Sequence, residues 1–158
     1  MNIYLVRHTE AEKSAFGKKD YERQLTQHGE VKIKNAAEGW KSLIPSIDLI
    51  VSSPLVRAVQ TAEIIKNVYN FSKDIIIDKA ISPGSHTEQI CEVANTYDVE
   101  NIFFVGHQPD LGEHASNLIS SEGALIEFKK GTIAKISFSG KAKLSRGILE
   151  FLIPASAY

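Results

Sequence analysis

Asp48-Leu49-Ile50-Val51-Ser52-Ser53-Pro54-Leu55-Val56-Arg57-Ala58-Val59-Gln60-Thr61-Ala62 is the stretch that decides the fold. Asp48–Val51 is a short, continuous apolar run, the pattern of a strand covered on both faces. The Ser-Ser-Pro that follows punctuates it. Leu55, Ala58, Val59, Ala62, Ile65 and Tyr69 then form an apolar helical stripe. Ser53 is the expected N-cap, with Pro54 at the first helical position. A buried strand running straight into a helix is the repeating unit of a layered α/β protein.

The same grammar extends in both directions. Ile3–Val6, Ile75–Ile77 and Ile102–Val105 read as further buried strands. Ile33, Ala36, Ala37, Trp40 and Ile44 form one helical stripe. Ile90, Val93, Ala94 and Tyr97 form another, and Leu111, Ala115, Leu118 and Ile119 a third. These stripes are read as core faces. After Gly131 the pattern changes: Thr132–Phe138 alternates in part, and Gly147–Ile153 follows a Gly/Lys/Ser segment, which predicts an antiparallel pair. The expectation is a three-layer α/β/α fold. Its central sheet is mostly parallel and flanked by helices, with an antiparallel strand pair at the C-terminal end. No repeat or linker breaks the pattern, so residues 1–158 are expected to form a single domain.

Composition narrows the function. Eighteen basic against nineteen acidic residues leave a formal charge of -1, which argues against nucleic-acid binding by bulk charge. Any anion site must therefore be local. Cys91 is the only cysteine, so neither an internal disulfide nor a cysteine-based zinc site is possible; its place in a helical stripe makes it a small core residue. No apolar run approaches the ~20 residues that span a bilayer. The first residues lack a basic segment followed by an apolar one of leader length. A cytoplasmic protein without membrane contact is expected.

Three strand ends deliver polar groups. The first ends in Arg7-His8-Thr9, the second in Ser52-Ser53-Pro54 with Arg57 a turn later, and the fourth in Gly106-His107-Gln108-Pro109. In open α/β sheets ligands bind beyond the carboxyl ends of the strands. Arginine forks match phosphoryl oxygens, and a neutral histidine can accept and release a phosphoryl group. Arg7, His8, Arg57 and His107 are therefore read as converging on one phosphate. Two other histidines are read as bystanders: His28 as surface, in the helix entry Thr26-Gln27-His28-Gly29, and His114 as structural. His86, with Glu88 close behind it, lies in a Pro/Gly/Ser loop expected to border the site. Glu10 to His28 is a long polar segment leaving directly from His8. It is read as a flap beside the site, loops of this length being functional or disordered more often than not.

These residues carry a resemblance. Tyr4-Leu5-Val6-Arg7-His8, then Leu25-Thr26 with Gly29, then the block from Asp48 to Ala62, then Val105-Gly106-His107-Gln108-Pro109 occur in family order. The chain resembles the histidine phosphatase superfamily, also called phosphoglycerate-mutase-like, and within it the compact SixA-type phosphohistidine phosphatases. The resemblance implies that His8 is the nucleophile and transient phosphohistidine. It implies that Arg7 and Arg57 bind phosphoryl oxygens, that His107 completes the pocket, and that no metal or organic cofactor is used.

Two departures from the family pattern bear on substrate. Thr9 stands where the family has glycine, and its side chain is expected to narrow the pocket or bond substrate. Larger members carry an acidic proton donor after the third strand, where Ala80 falls here; Asp78, His86 and Glu88 are the substitute candidates. An alkoxide leaves poorly without such a donor, whereas imidazole leaves readily once protonated. The expected substrate is thus a phosphohistidine-bearing phosphotransfer protein. The alternatives are a phosphomonoesterase acting on a small phosphorylated metabolite and a non-catalytic phosphate-binding module.

Overall fold

The computed structural model describes residues 1–14, 16–17 and 19–158. Among these residues six strands form one sheet: β1 (Asn2–Arg7), β2 (Leu49–Ser52), β3 (Ile76–Ile77), β4 (Asn101–Gly106), β5 (Ile133–Ser137) and β6 (Ile148–Ile153). Four helices pack on it: α1 (Gln27–Trp40), α2 (Val56–Val68), α3 (Thr87–Tyr97) and α4 (Asp110–Ile119). The strand order is β3-β2-β4-β1-β5-β6. The pairs β3–β2, β2–β4 and β4–β1 are parallel, while β1–β5 and β5–β6 are antiparallel. The α/β sheet with its C-terminal antiparallel pair is the one the sequence pattern predicts.

Strand side chains alternate between two cores, as the pleat requires. Ile3, Leu5, Val51, Ile102 and Phe104 pack with Ile90, Ala94, Leu111, Ala115 and Leu118 of α3 and α4. Tyr4, Val6, Ile50, Phe103 and Val105 pack with Ile33, Ala37, Trp40, Ala58, Ala62 and Ile65 of α1 and α2. Burying β1, β2 and β4 on both faces is what makes their sequences uniformly apolar. Cys91 is buried in the first of these cores, as its stripe predicts.

The topology positions the site. The chain leaves β1, crosses over through α1 and lays down β2 one place away; β4 later fills the gap between them. Arg7 then lies beside Gly106, and Ser52 beside Val105. Three strands that are far apart in sequence thus end side by side.

Helix boundaries depart from expectation at two places. The N-cap of α2 is Leu55, not Ser53, and the helix begins at Val56. Residues ahead of a proline are held in extended conformation, so Ser53 continues the line of β2 by one residue, its amide donating to the Val105 carbonyl at 3.0 Å. Tyr97, assigned to the core by its spacing, is 44% exposed because α3 ends there, capped by Asp98 at φ 47°. At α1 the Thr26 side chain accepts a hydrogen bond from the Gly29 amide at 3.0 Å, so the helix entry reads as expected.

Phe103 is fully buried and stacks on Tyr4 with ring centroids 4.7 Å apart. Truncating Phe103 to alanine is expected to cost about 3–5 kcal/mol of stability, read as a lower urea midpoint with an unchanged slope.

Candidate active site

The ends of β1, β4 and β2 bring together the residues singled out from the sequence. The His8 amide donates to the Gly106 carbonyl at 3.1 Å, which extends the β1–β4 ladder by one residue. Its ring therefore faces that of His107, with centroids 5.1 Å apart, close to the spacing of neighbouring strands. Arg57, in the first turn of α2, donates from Nε to His8 Nε2 at 3.3 Å. Arg7 donates from Nη1 to the Phe128 carbonyl at 2.6 Å.

His8 Nδ1 lies 2.6 Å from the Thr9 carbonyl, an acceptor only. That contact fixes the tautomer: the proton sits on Nδ1, and Nε2 keeps its lone pair toward Arg57. His107 is held in turn by Ser53, whose Oγ is 2.8 Å from His107 Nε2. His8, Arg57, Ser53 and His107 are all buried. Burial, reinforced by the nearby guanidinium of Arg57, pushes His8 down from 6.5 to about 4. Burial likewise pushes His107 down to about 3, with His8 and Arg57 adding to the effect. Both rings are neutral at pH 7. Burial also pulls Arg7 below the ordinary arginine value, and the nearby Glu127 charge opposes that shift.

Arg7 Nε and His107 Nδ1 are buried without a hydrogen-bond partner among the described residues. Buried polar atoms are nearly always satisfied in folded proteins, so two unsatisfied ones on neighbouring strand ends are free to meet a polar ligand. Two guanidiniums beside them favour an anion at that place.

The remaining candidates distribute as follows. Thr9 is fully buried, its methyl pressed toward Gly131, where a side chain at φ +76° would collide with it. The polar group it presents to His8 is its carbonyl. Asp78 caps a 3-10 turn at Lys79–Ile81, accepting from the Ala80 amide at 2.8 Å. That turn leans on the end of β4 through Ile81 and Gly106. His86 and Glu88 are exposed at the start of α3. None of the three bonds to a pocket residue among the described residues. His28 is exposed, and His114 is buried, meeting the hydroxyls of Thr87 at 3.0 Å and Ser85 at 3.3 Å, both as read from sequence. No group of three or more His, Cys, Asp or Glu among the described residues is placed to hold a metal ion.

Two participants escaped the sequence reading. Ser53 was read as a helix cap, a role its residue type suits equally well. Asp20, in a 3-10 turn at Asp20–Glu22, places Oδ2 3.0 Å from Arg57 Nη2 and its carbonyl 2.8 Å from Nη1. The segment expected as a flap therefore does return to the site. Positions 15 and 18 of that segment lie outside the described residues.

Paired arginines and neutral histidines beyond the strand ends of an α/β sheet define an enzyme that handles phosphoryl groups. The sequence profile of the histidine phosphatase superfamily (branch 1) matches residues 3–82. The chain is 29% identical over 150 residues to a phosphohistidine phosphatase SixA homolog of Haemophilus influenzae, covering 89% of this chain and 90% of that one. It is 30% identical over 148 residues to an uncharacterized protein of Picosynechococcus, covering 91% and 88%. Its fold matches the structure of the protein histidine phosphatase SixA complexed with tungstate, at a TM-score of 0.85, 21% identity and 99% coverage of both chains. The chain belongs to the histidine phosphatase superfamily, and it is a phosphatase.

The depressed His8 value carries a linkage consequence. The unfolded chain binds this proton near pH 6.5, whereas the folded chain binds it only near 4. The native state is therefore expected to lose stability as pH falls across that window. Urea midpoints measured from pH 7 to pH 4 should show the loss, and a His8→Gln, His107→Gln double variant should make the curve shallower, with buried His114, also pushed down, supplying part of what remains.

Proposed function

We propose that this protein removes phosphoryl groups from phosphohistidine through a covalent intermediate on His8. The observation that carries the reading is the single tautomer of His8: Nδ1–H is tied to the Thr9 carbonyl and the Nε2 lone pair faces Arg57 Nε. A neutral imidazole needs no base to act as a nucleophile.

The first step forms a bond from His8 Nε2 to phosphorus while the substrate's P–N bond breaks. The substrate ring, protonated at its other nitrogen, leaves as neutral imidazole. His8 now carries the phosphoryl group and keeps its Nδ1 proton on the Thr9 carbonyl, so it is in the state the substrate ring has just left. Water then attacks phosphorus, the P–N bond to Nε2 breaks, and His8 and dihydrogen phosphate are released. The first step exchanges one imidazole for another, the second exchanges imidazole for water, and neither requires a separate proton donor for the leaving ring. Arg7 and Arg57 hold the charge of the transferring group, which is where preorganised donors contribute most to rate.

The choice of phosphohistidine over a phosphate ester is supported by what surrounds the pocket. Asp78, His86 and Glu88 make no bond to it. Asp20 is held below the ordinary aspartate value by its hydrogen bonds to Arg23 and Arg57, so it is an anion rather than an acid. An ester's alkoxide would leave unprotonated. Beside the site, a groove of about 630 Å³ starts at Gln108 and Pro109 and runs to the fully exposed Leu125, room that suits a protein-borne phosphohistidine. The relative from Haemophilus influenzae carries the same activity in its name. Residues 1–158 act in this reading as one catalytic domain. The lone cysteine, buried and outside any disulfide, is in keeping with a cytoplasmic location.

Turnover on a phosphohistidine-bearing phosphotransfer protein is expected to exceed turnover on small phosphate esters in kcat/KM. Brief exposure to ³²P-labelled substrate should leave an acid-labile, base-stable label on the wild type. His8→Ala should release no phosphate and take no label. Higher kcat/KM on a small ester would turn the reading to a metabolite phosphomonoesterase; tight anion binding with no turnover would turn it to a binding module.

A further inference from the structure

Asp20 has no role in the chemistry above, yet it makes two hydrogen bonds to Arg57. Its Oδ2 and its carbonyl take Nη2 and Nη1 of Arg57, at 3.0 and 2.8 Å. A guanidinium is a flat fork with two usable edges: the end, formed by Nη1 and Nη2, and one side, formed by Nε and Nη2. Asp20 takes the end. The side remains directed at His8, where Nε meets Nε2. The carboxylate therefore does not sit where a phosphoryl group on His8 would sit; it braces the opposite edge of the same fork.

The brace is itself built. Asp20 Oδ1 receives Arg23 Nη1 at 2.8 Å, and Arg23 Nε is anchored on the Glu12 carbonyl at 2.7 Å. The two carboxylate oxygens are thus divided between two arginines. The base of the loop is pinned by the Ala11–Leu25 bridge and by the Thr26 amide on the Glu10 carbonyl at 3.0 Å. The Leu25 amide also donates to Gln60 Oε1 at 2.8 Å, and Gln60 lies one turn after Arg57 on α2. Loop and helix are tied on one helix face at two points. Arg57 is 8% exposed at its side chain and Asp20 61%, so the contact runs from the rim into the pocket.

We infer that Asp20 is a positioning residue that clamps the outer end of Arg57 and so aims its inner edge at the phosphoryl group carried by His8. A free arginine side chain has many rotamers, and freezing it during reaction costs free energy. Asp20 does the freezing beforehand. Its effect must therefore travel through Arg57 and fall on the transition state more than on the bound substrate. This rests on the phosphatase reading given above.

The test is a double-mutant cycle on the full chain with two readouts. The first is turnover of phosphoramidate. Asp20→Ala is expected to lower kcat about 10- to 100-fold with little change in KM, the scale of a misaimed catalytic group. Asp20→Asn retains an oxygen for Nη2 and is expected to recover much of that loss. In an Arg57→Ala background, Asp20→Ala should have no further effect. The second readout is tungstate affinity by calorimetry, which requires no turnover. Asp20→Ala should weaken it, again only when Arg57 is present. Tighter tungstate binding or faster turnover in Asp20→Ala would make the carboxylate a competitor of the phosphoryl group and overturn the clamp. An Asp20 effect that persists without Arg57, or an Asn variant no better than Ala, would overturn it too. Wild type that releases no phosphate would remove the phosphatase reading, while the tungstate cycle would still decide the clamp.

Discussion

Everything at this site depends on β4 lying between β1 and β2. Parallel strands that are consecutive in sequence need a crossover, and here the crossover from β1 to β2 leaves a vacant place in the sheet. When β4 fills it, main-chain hydrogen bonds set Gly106 against Arg7 and Val105 against Ser52. That register is enforced by burial on both faces: a slip by one residue would turn Phe103 and Phe104 into the wrong cores. The chemistry inherits the precision of the ladder. His8, His107 and Ser53 are each the first residues beyond a strand whose last residues are locked.

Burial then decides what those residues are. In water a histidine near pH 7 is a mixture of charged and neutral forms. Here two rings lie tilted against each other, out of water and beside two guanidiniums, and desolvation, the largest cause, helps move each well below that range. A neutral ring can still present either nitrogen. The Thr9 carbonyl removes that freedom for His8, because it can only accept. The positive charge of the arginines is held close without a carboxylate in the centre of the pocket; the single carboxylate bonded to Arg57 among the described residues approaches from the loop side. The result is a cationic cavity lined by two uncharged imidazoles, the combination that the proposed phosphoryl transfer to nitrogen calls for.

What was legible in the chain was what is local or periodic. The strands and helices were visible because burial on two faces and on one stripe leave different spacings. The four pocket residues were visible because they follow those strands at once, and because their types suit only a few chemistries. Ser53 was visible but misread: a serine before a proline at a strand–helix junction looks the same whether its hydroxyl caps a helix or holds His107. Asp20 was invisible. It sits in a polar loop among lysines and glutamates, and no spacing distinguishes it from Asp78 or Glu88, which the region after β3 made better candidates. Tyr97 shows the same limit from the other side, since a stripe does not say where its helix stops.

By itself, then, the sequence determined the layered architecture, its helical core faces, and which two arginines and two histidines meet beyond the strand ends. These follow from hydrophobic periodicity and from side-chain chemistry, both carried residue by residue. The tertiary structure alone decided which nitrogen of His8 is free, that the Ser53 hydroxyl holds His107, and that Asp20 reaches across 37 residues to Arg57. Those are contacts between segments distant in the chain. They exist only once strand order and loop closure have fixed distances to within a hydrogen bond, and no local pattern encodes them.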